Sequence, residues 1–260
     1  MGHGARDFAA SAEMNVLRVD RLCKSFGSLN VTDQVSLAIG EGERHVIIGP
    51  NGAGKTSLIN QISGQIQPDS GLILLQDRDI TGCSPDRISR MGVARTFQRN
   101  NLFQNLSVMD NLRLALQIRH GTPLNFFLPA AGSAALSERA ASLLAKVHLP
   151  IEDTRLARQL SYGEQRQLEL ALALASEPAL LLLDEPTSGM SPSETAQIIA
   201  LISALPRALA ILMIEHDMEV VFSIADRITV LYFGKVLATG TPQEIQTNDR
   251  VREVYLGLSR

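Results

Sequence analysis

No charge of either sign dominates this chain: 24 basic residues stand against 27 acidic ones, a formal net charge of −3. A nucleic-acid surface needs a basic face, so the composition offers no electrostatic case for a nucleic-acid partner. Cysteine is scarce. Cys23 and Cys83 lie far apart in no metal-ligand spacing, which points to two structural thiols in a reducing compartment. Long hydrophobic runs are missing too. The most apolar stretch, Leu168 to Leu183, is interrupted by Glu169, Glu177 and Pro178, whereas a membrane span takes roughly 20 apolar residues. The first 13 residues lack the apolar centre of a signal peptide and read as a flexible extension. Arg6 stands where a myristoylation signal starting at Gly2 needs Ser or Thr. The expectation is a cytosolic protein that reaches a membrane only through partners. There is no internal repeat.

What is present is enough hydrophobic residue, 45% of 260, to build one large domain or a domain with a lobe. Residues 49 to 56 read Gly-Pro-Asn-Gly-Ala-Gly-Lys-Thr, the G-x-x-x-x-G-K-[ST] phosphate-binding pattern. Its context fits. His45 to Ile48 is short, apolar and β-prone, and Ser57 to Ser63 has helical spacing that Gly64 can end. The glycines let successive backbone N–H groups close around phosphates, and the helix N-terminus adds its positive end. Lys55 can reach the β- and γ-phosphates, and Thr56 offers a hydroxyl to Mg²⁺.

The rest of the chain alternates. Val16 to Ile39 and Leu72 to Leu75 are strand-like. Between about Pro85 and Leu160 the character turns helical, with a helix start at Ser107-Val-Met-Asp110 and an amphipathic helix over Glu138 to His148. Gly121 to Ser133, rich in Gly, Pro and Ala, reads as an inserted loop. Leu180 to Leu183, Leu209 to Ile214 and Ile228 to Tyr232 are continuous apolar runs, suited to strands buried on both faces. Such strands separated by helices predict a mostly parallel, doubly covered sheet. The strand Leu180 to Leu183 ends in Asp184-Glu185. Strand ends of a parallel sheet face the ligand crevice, so Asp184 is placed to hold Mg²⁺ and Glu185 to polarise a water against a γ-phosphate.

Leu160-Ser-Tyr-Gly-Glu-Gln165 opens a long helix, with Ser161 and Glu164 in capping-box spacing. This segment resembles the signature motif of ABC ATPases, and with the two motifs above the resemblance covers residues 14 to 258. It implies an α/β fold: a P-loop NTPase core with a mostly parallel sheet, an antiparallel β subdomain and an α-helical subdomain. Residues 14–258 then form one ATP-binding domain, with the core over about 14–90 and 177–240, the helical subdomain over about 91–176 and a tail from 241.

ATP and Mg²⁺ are the implied cofactors. Gly49, Pro50, Asn51, Gly52, Ala53, Gly54, Lys55, Thr56 and Ser57 would take the phosphates, and Phe26, in Lys-Ser-Phe-Gly, would lie against adenine. Thr56, Gln98 and Asp184 would address the metal. Gln98, which ends Arg95-Thr-Phe-Gln, would also sense the attacking water, and His216 would contact the γ-phosphate. Ser161, Tyr162, Gly163 and Glu164 would point at the nucleotide of a second ATP-binding subunit, so that hydrolysis needs a head-to-tail dimer.

The sequence departs from the family pattern at three places. Tyr162 takes the place of a glycine, Glu164 replaces the commoner glutamine, and no aspartate stands near Ser191 in Ser188-Gly-Met-Ser191. Ser191-Pro-Ser-Glu194 is itself a capping box with Pro at the first helical position.

Within the family, the chain is most similar to the ATP-binding subunits of importers for branched-chain and other hydrophobic amino acids. The features are Arg95-Thr-Phe-Gln98, Ser161-Tyr-Gly163, Gly189-Met-Ser-Pro192, Ile214-Glu-His-Asp-Met218, Asn125-Phe-Phe-Leu128 and Val254-Tyr-Leu-Gly257. The implied partners are two permease subunits, a second ATP-binding subunit of the same or another chain and, indirectly, a periplasmic solute-binding protein. The implied place is the inner face of the cell membrane. Urea, amide, aromatic-acid and lipopolysaccharide transporters, and a soluble ABC ATPase, stay open at this point.

Overall fold

The computed structural model describes residues 15–96, 102–119, 130–151 and 155–256. Gln98, residues 1–13, Asn125 to Leu128 and Gly257 lie outside them. The chain opens with β1 (Asn15–Phe26), β2 (Leu29–Gly40) and β3 (Arg44–Ile48), then α1 (Lys55–Ile62), β4 (Ser70–Leu75), β5 (Arg78–Asp79), α2 (Pro85–Arg90) and β6 (Val93–Arg95). The helices α3 (Val108–Arg119), α4 (Ala130–Lys146) and α5 (Tyr162–Leu174) follow. The remainder alternates: β7 (Leu180–Asp184), α6 (Pro192–Ala204), β8 (Ala210–Ile214), α7 (Met218–Ile224) and β9 (Arg227–Tyr232). It closes with β10 (Lys235–Gly240), α8 (Pro242–Thr247) and α9 (Asp249–Leu256).

Two sheets result. The first is antiparallel, in the order β2-β1-β4-β5. The second runs β10-β9-β3-β8-β7-β6. All its pairs are parallel except β10 on β9. Its central strands β3, β7 and β8 are buried at every residue, as expected where both faces are covered.

Period-2 alternation deals successive side chains to opposite faces. Val46, Ile48, Leu181, Leu183, Ile211 and Met213 join one core with Leu112, Leu144, Leu168 and Ile198 of α3 to α6. Ile47, Leu180, Leu182, Leu212 and Ile214 join the other, with Leu58, Ile59 and Ile62 of α1 and Leu17 and Ile73 of the antiparallel sheet. One sheet therefore separates two hydrophobic layers. All its parallel strands carry their C-terminal ends to the same edge, where the site lies.

Two expectations change. Val93–Arg95 is a strand, paired in parallel with β7 at Val93↔Leu180, although it falls in the stretch read as helical. Three residues are too few for a period-2 pattern to declare itself. Ala130–Ser133, read as part of a loop, belong to α4. Alanine is the strongest helix former, and in that segment it outweighs Gly132. Among the described residues no helix is long and apolar enough to cross a membrane.

Candidate functional site

The phosphate loop joins the buried end of β3 to the start of α1. Gly54 occupies the N-cap of α1 at φ 100 without a side-chain cap bond, so the first-turn N–H groups are left for an anion. A Cβ there would sit 2.1 Å from the Val31 carbonyl oxygen, and one at Gly49 2.3 Å from that of Leu231. Close backbone approach thus demands glycine at both positions. Thr56 is exposed and Ser57 half-buried. The Lys55 ammonium folds back to donate to the Gly49 and Pro50 carbonyls at 2.7 and 3.0 Å. Burial lowers its pKa, opposed by the charges of Glu185 and Asp184.

Asp184 ends β7, 3% exposed. Its Oδ2 accepts from Arg95 Nη2 at 3.2 Å. The same guanidinium donates to Asn60 Oδ1 at 2.6 Å and Ser63 Oγ at 2.9 Å, so α1, β6 and β7 are tied at one point. Burial raises the Asp184 pKa, with Arg95 opposing. Its second oxygen, Oδ1, is buried and has no hydrogen-bond partner. A buried acceptor without a donor is costly, and a divalent cation would satisfy it. Among the described residues no group of three or more His, Cys, Asp or Glu could hold a metal.

Glu185 leaves the strand at φ 50, a conformation costly for a side chain of this size and typical of functional sites. Its N–H is held by the Ile214 carbonyl at 3.0 Å, which anchors the turn to β8. His216 follows β8, and its Nδ1 lies 3.9 Å from Glu185 Oε1. The imidazole is 61% exposed, free to meet a ligand. Lys55, Asp184, Glu185 and His216 therefore share the strand-end crevice. Phe26 ends β1 with half its surface exposed, Lys24 lying 5.4 Å from its ring centre. It is not a core residue.

The signature residues stand apart from that crevice. Ser161 caps α5, its Oγ accepting from Glu164 N and its N–H donating to Glu164 Oε2. Arg155 Nη2 pairs with Glu164 Oε1 at 2.6 Å. The charge that Glu164 brings is thereby countered, and its carboxyl is held below the usual range, chiefly by Arg155. Tyr162 turns toward the loop before α6: its hydroxyl donates to the Ser188 carbonyl at 3.2 Å and accepts from Arg166 at 2.8 Å. Gly163 abuts Glu194, where a Cβ would meet Oε1 at 3.1 Å. These side-chain bonds of Ser161, Tyr162 and Glu164 tie the signature turn to residues between 155 and 188, not to the phosphate loop at 49–57.

Sequence reasoning left three site residues without a role. Arg95 was only part of a motif, yet it grips Asp184. Arg155 neutralises Glu164. Glu215, fully buried, accepts from the backbone and hydroxyl of Thr187. Their partners are 89, 9 and 28 positions away. For Arg95 and Glu215, the one available signal is a charged residue next to an apolar strand.

The family described as "ABC transporter" matches residues 32–188. A second, "Branched-chain amino acid ATP-binding cassette transporter", matches residues 235–258. The high-affinity branched-chain amino acid transport ATP-binding protein LivG of Salmonella typhimurium is 41% identical over 249 residues, covering 93% of this chain and 98% of LivG. The lipopolysaccharide export system ATP-binding protein LptB of Acidithiobacillus ferridurans is 36% identical over 244 residues, covering 93% and 97%. The crystal structure of an ATP-binding cassette of an ABC transporter in its ADP conformation superposes with a TM-score of 0.82. The two are 30% identical, over 94% of this chain and 99% of that one.

Proposed function

The chain belongs to the ABC transporter family of ATP-binding cassettes, and from that membership we propose that it is the ATP-hydrolysing subunit of an importer for branched-chain or other hydrophobic amino acids. The observation that carries the hydrolytic half is the crevice where Lys55, the orphaned oxygen of Asp184, Glu185 and His216 meet. The amino-acid half rests on the similarity to LivG and on the match of the segment from 235 to 258.

ATP lies with its phosphates on the amides of residues 49–57, and Phe26 offers its exposed face to the base. Lys55 exchanges its two carbonyl partners for β- and γ-phosphate oxygens. Thr56 and Asp184 would hold Mg²⁺ and Gln98 would address it; the ion supplies neutralisation of phosphate charge. Glu185 accepts a hydrogen bond from the attacking water and aligns it, and His216 steadies the γ-phosphate. Catalysis is by positioning and charge compensation, with no covalent enzyme intermediate. Ser161, Tyr162 and Gly163 serve the nucleotide of a second ATP-binding subunit, with Glu164 holding the Ser161 turn through its capping box.

In this assignment two permeases receive the work at the cytoplasmic face of the membrane, and a periplasmic solute-binding protein delivers the solute. ATP drives the change through its higher affinity for the closed pair.

The test is co-purification of tagged protein from mildly solubilised membranes of its own host. Two polytopic permeases, with a neighbouring binding protein that takes up leucine-type amino acids, are the expected result. Lipopolysaccharide-export components would replace the importer with the LptB-like alternative. Ribosomes or repair factors without permeases would leave the ATPase alone standing.

A further inference from the structure

The loop after Glu185 is held from two sides by side-chain bonds that the hydrolytic mechanism does not use. On one side Tyr162, at the first helical position of α5, donates its hydroxyl to the Ser188 carbonyl at 3.2 Å. Arg166, one turn along, donates to that hydroxyl at 2.8 Å, its guanidinium 5.2 Å from the ring centre. The tyrosine hydroxyl is thus both acceptor and donor, and its direction is fixed. On the other side Glu215 has no exposed surface. Its Oε1 accepts from Thr187 Oγ1 at 2.6 Å and Thr187 N at 3.2 Å, and its Oε2 accepts from His216 N at 3.1 Å. A buried carboxylate is tolerated only when its oxygens are satisfied. Each of these donors belongs to Thr187 or to the backbone of His216.

Thr187 and Ser188 are adjacent, so the two sets of bonds form one path. It runs from Arg166 and Tyr162 at the signature turn, through the backbone of 187–188, to Glu215 and the amide of His216. We infer that this path is a positioning relay, in which the signature turn sets where His216 stands through Tyr162, Thr187 and Glu215. Thr187 and Glu215 bond to each other and to backbone, and the Tyr162 hydroxyl is taken up by Ser188 and Arg166. The inference rests on the functional reading proposed for the two ends: one faces the nucleotide of a second subunit, the other the chain's own γ-phosphate. The relay would let a cassette register engagement of its signature turn at its own catalytic histidine. It also gives Tyr162, which stands where the family has glycine, a reason to carry a hydroxyl and a ring.

The relay is tested on the full chain by amide hydrogen exchange over residues 214–217, comparing wild type with Tyr162→Phe, Thr187→Val and Thr187→Ser. Tyr162→Phe removes only the hydroxyl, 26 residues from Ser188 in sequence. It is expected to speed exchange there about fivefold, the weight of one ordinary hydrogen bond, with no more than the drop of about 2–4 °C in melting temperature that one such bond carries. Thr187→Val should do the same, and Thr187→Ser should keep the wild-type rate. Exchange at 214–217 that ignores Tyr162→Phe overturns the relay.

Turnover of Mg-ATP gives the functional reading. Tyr162→Phe and Thr187→Val should each lower kcat with KM for ATP unchanged, and the double variant should fall little further than either. Additive losses would contradict a shared path. If the wild-type chain fails to turn over ATP even with its co-purified partners, the assignment as an ATPase fails, while the exchange result still decides the relay.

Discussion

Asp184 is 3% exposed and keeps one carboxylate oxygen on Arg95 while the other has no donor. Removing the arginine would leave a buried charge uncompensated, which costs on the order of 3–5 kcal/mol. Arg95→Ala is therefore expected to lower the denaturant midpoint sharply, and an unchanged midpoint would show that the pair carries no such weight. Glu164 gives a prediction in pH. Arg155, first, and then the Ser161 amide and hydroxyl hold its carboxyl below the usual value. A carboxylate depressed in the folded state contributes stability that is present above the unfolded value, about 4.3, and lost as pH falls through the folded value. Glu164→Gln should flatten that acid limb of the stability curve, read by thermal melts from neutral pH downward. A slope equal to wild type would place the titration elsewhere. At this scale the motifs were enough to bring Lys55, Glu185 and His216 to one crevice. The sequence was silent where a residue acts through a distant partner. Arg44, for example, is buried and donates to the carbonyls of Leu205 and Leu209, which no pattern in the chain announces.

The elements begin where their caps say. Ser161, Ser191 and Thr241 each accept from the N–H three residues on, and each has a glutamate that returns the bond. Pro192 and Pro242 occupy first helical positions, where the missing N–H costs nothing. Ser191, in the loop that departs from the family pattern, is accordingly a helix cap. A cap of this kind contributes about 1 kcal/mol. Thr241→Ala, far from the crevice, should lose about that much in chemical denaturation and turn over ATP at the wild-type rate. A loss several times larger would mean that α8 supports more of the fold than its own end. Capping boxes and buried runs made α5, α6, β7 and β8 readable in advance. β6 was not readable, because its assignment depends on the strand it pairs with. The junction at Ala130 was misread because small residues serve loops and helices alike.

For the whole molecule, the alternation of apolar runs and helices anticipated the parallel sheet, the early stretch was read as strand-like, and the family resemblance implied the antiparallel sheet. The division of the interior into two cores by one sheet follows from period-2 alternation in strands buried throughout. The crevice at the strand ends then follows from topology. The signature turn, from Ser161 to Glu164, is bonded to Arg155, Arg166 and Ser188 rather than to that crevice, and under the proposed function, in which it serves a second nucleotide, pairing of two cassettes is the central requirement. The most direct test is Glu185→Gln. With Mg-ATP, the variant should bind nucleotide, hydrolyse it at least about 10²-fold more slowly and accumulate as an ATP-held pair by sedimentation. Hydrolysis at the wild-type rate by a variant that never pairs would contradict the account.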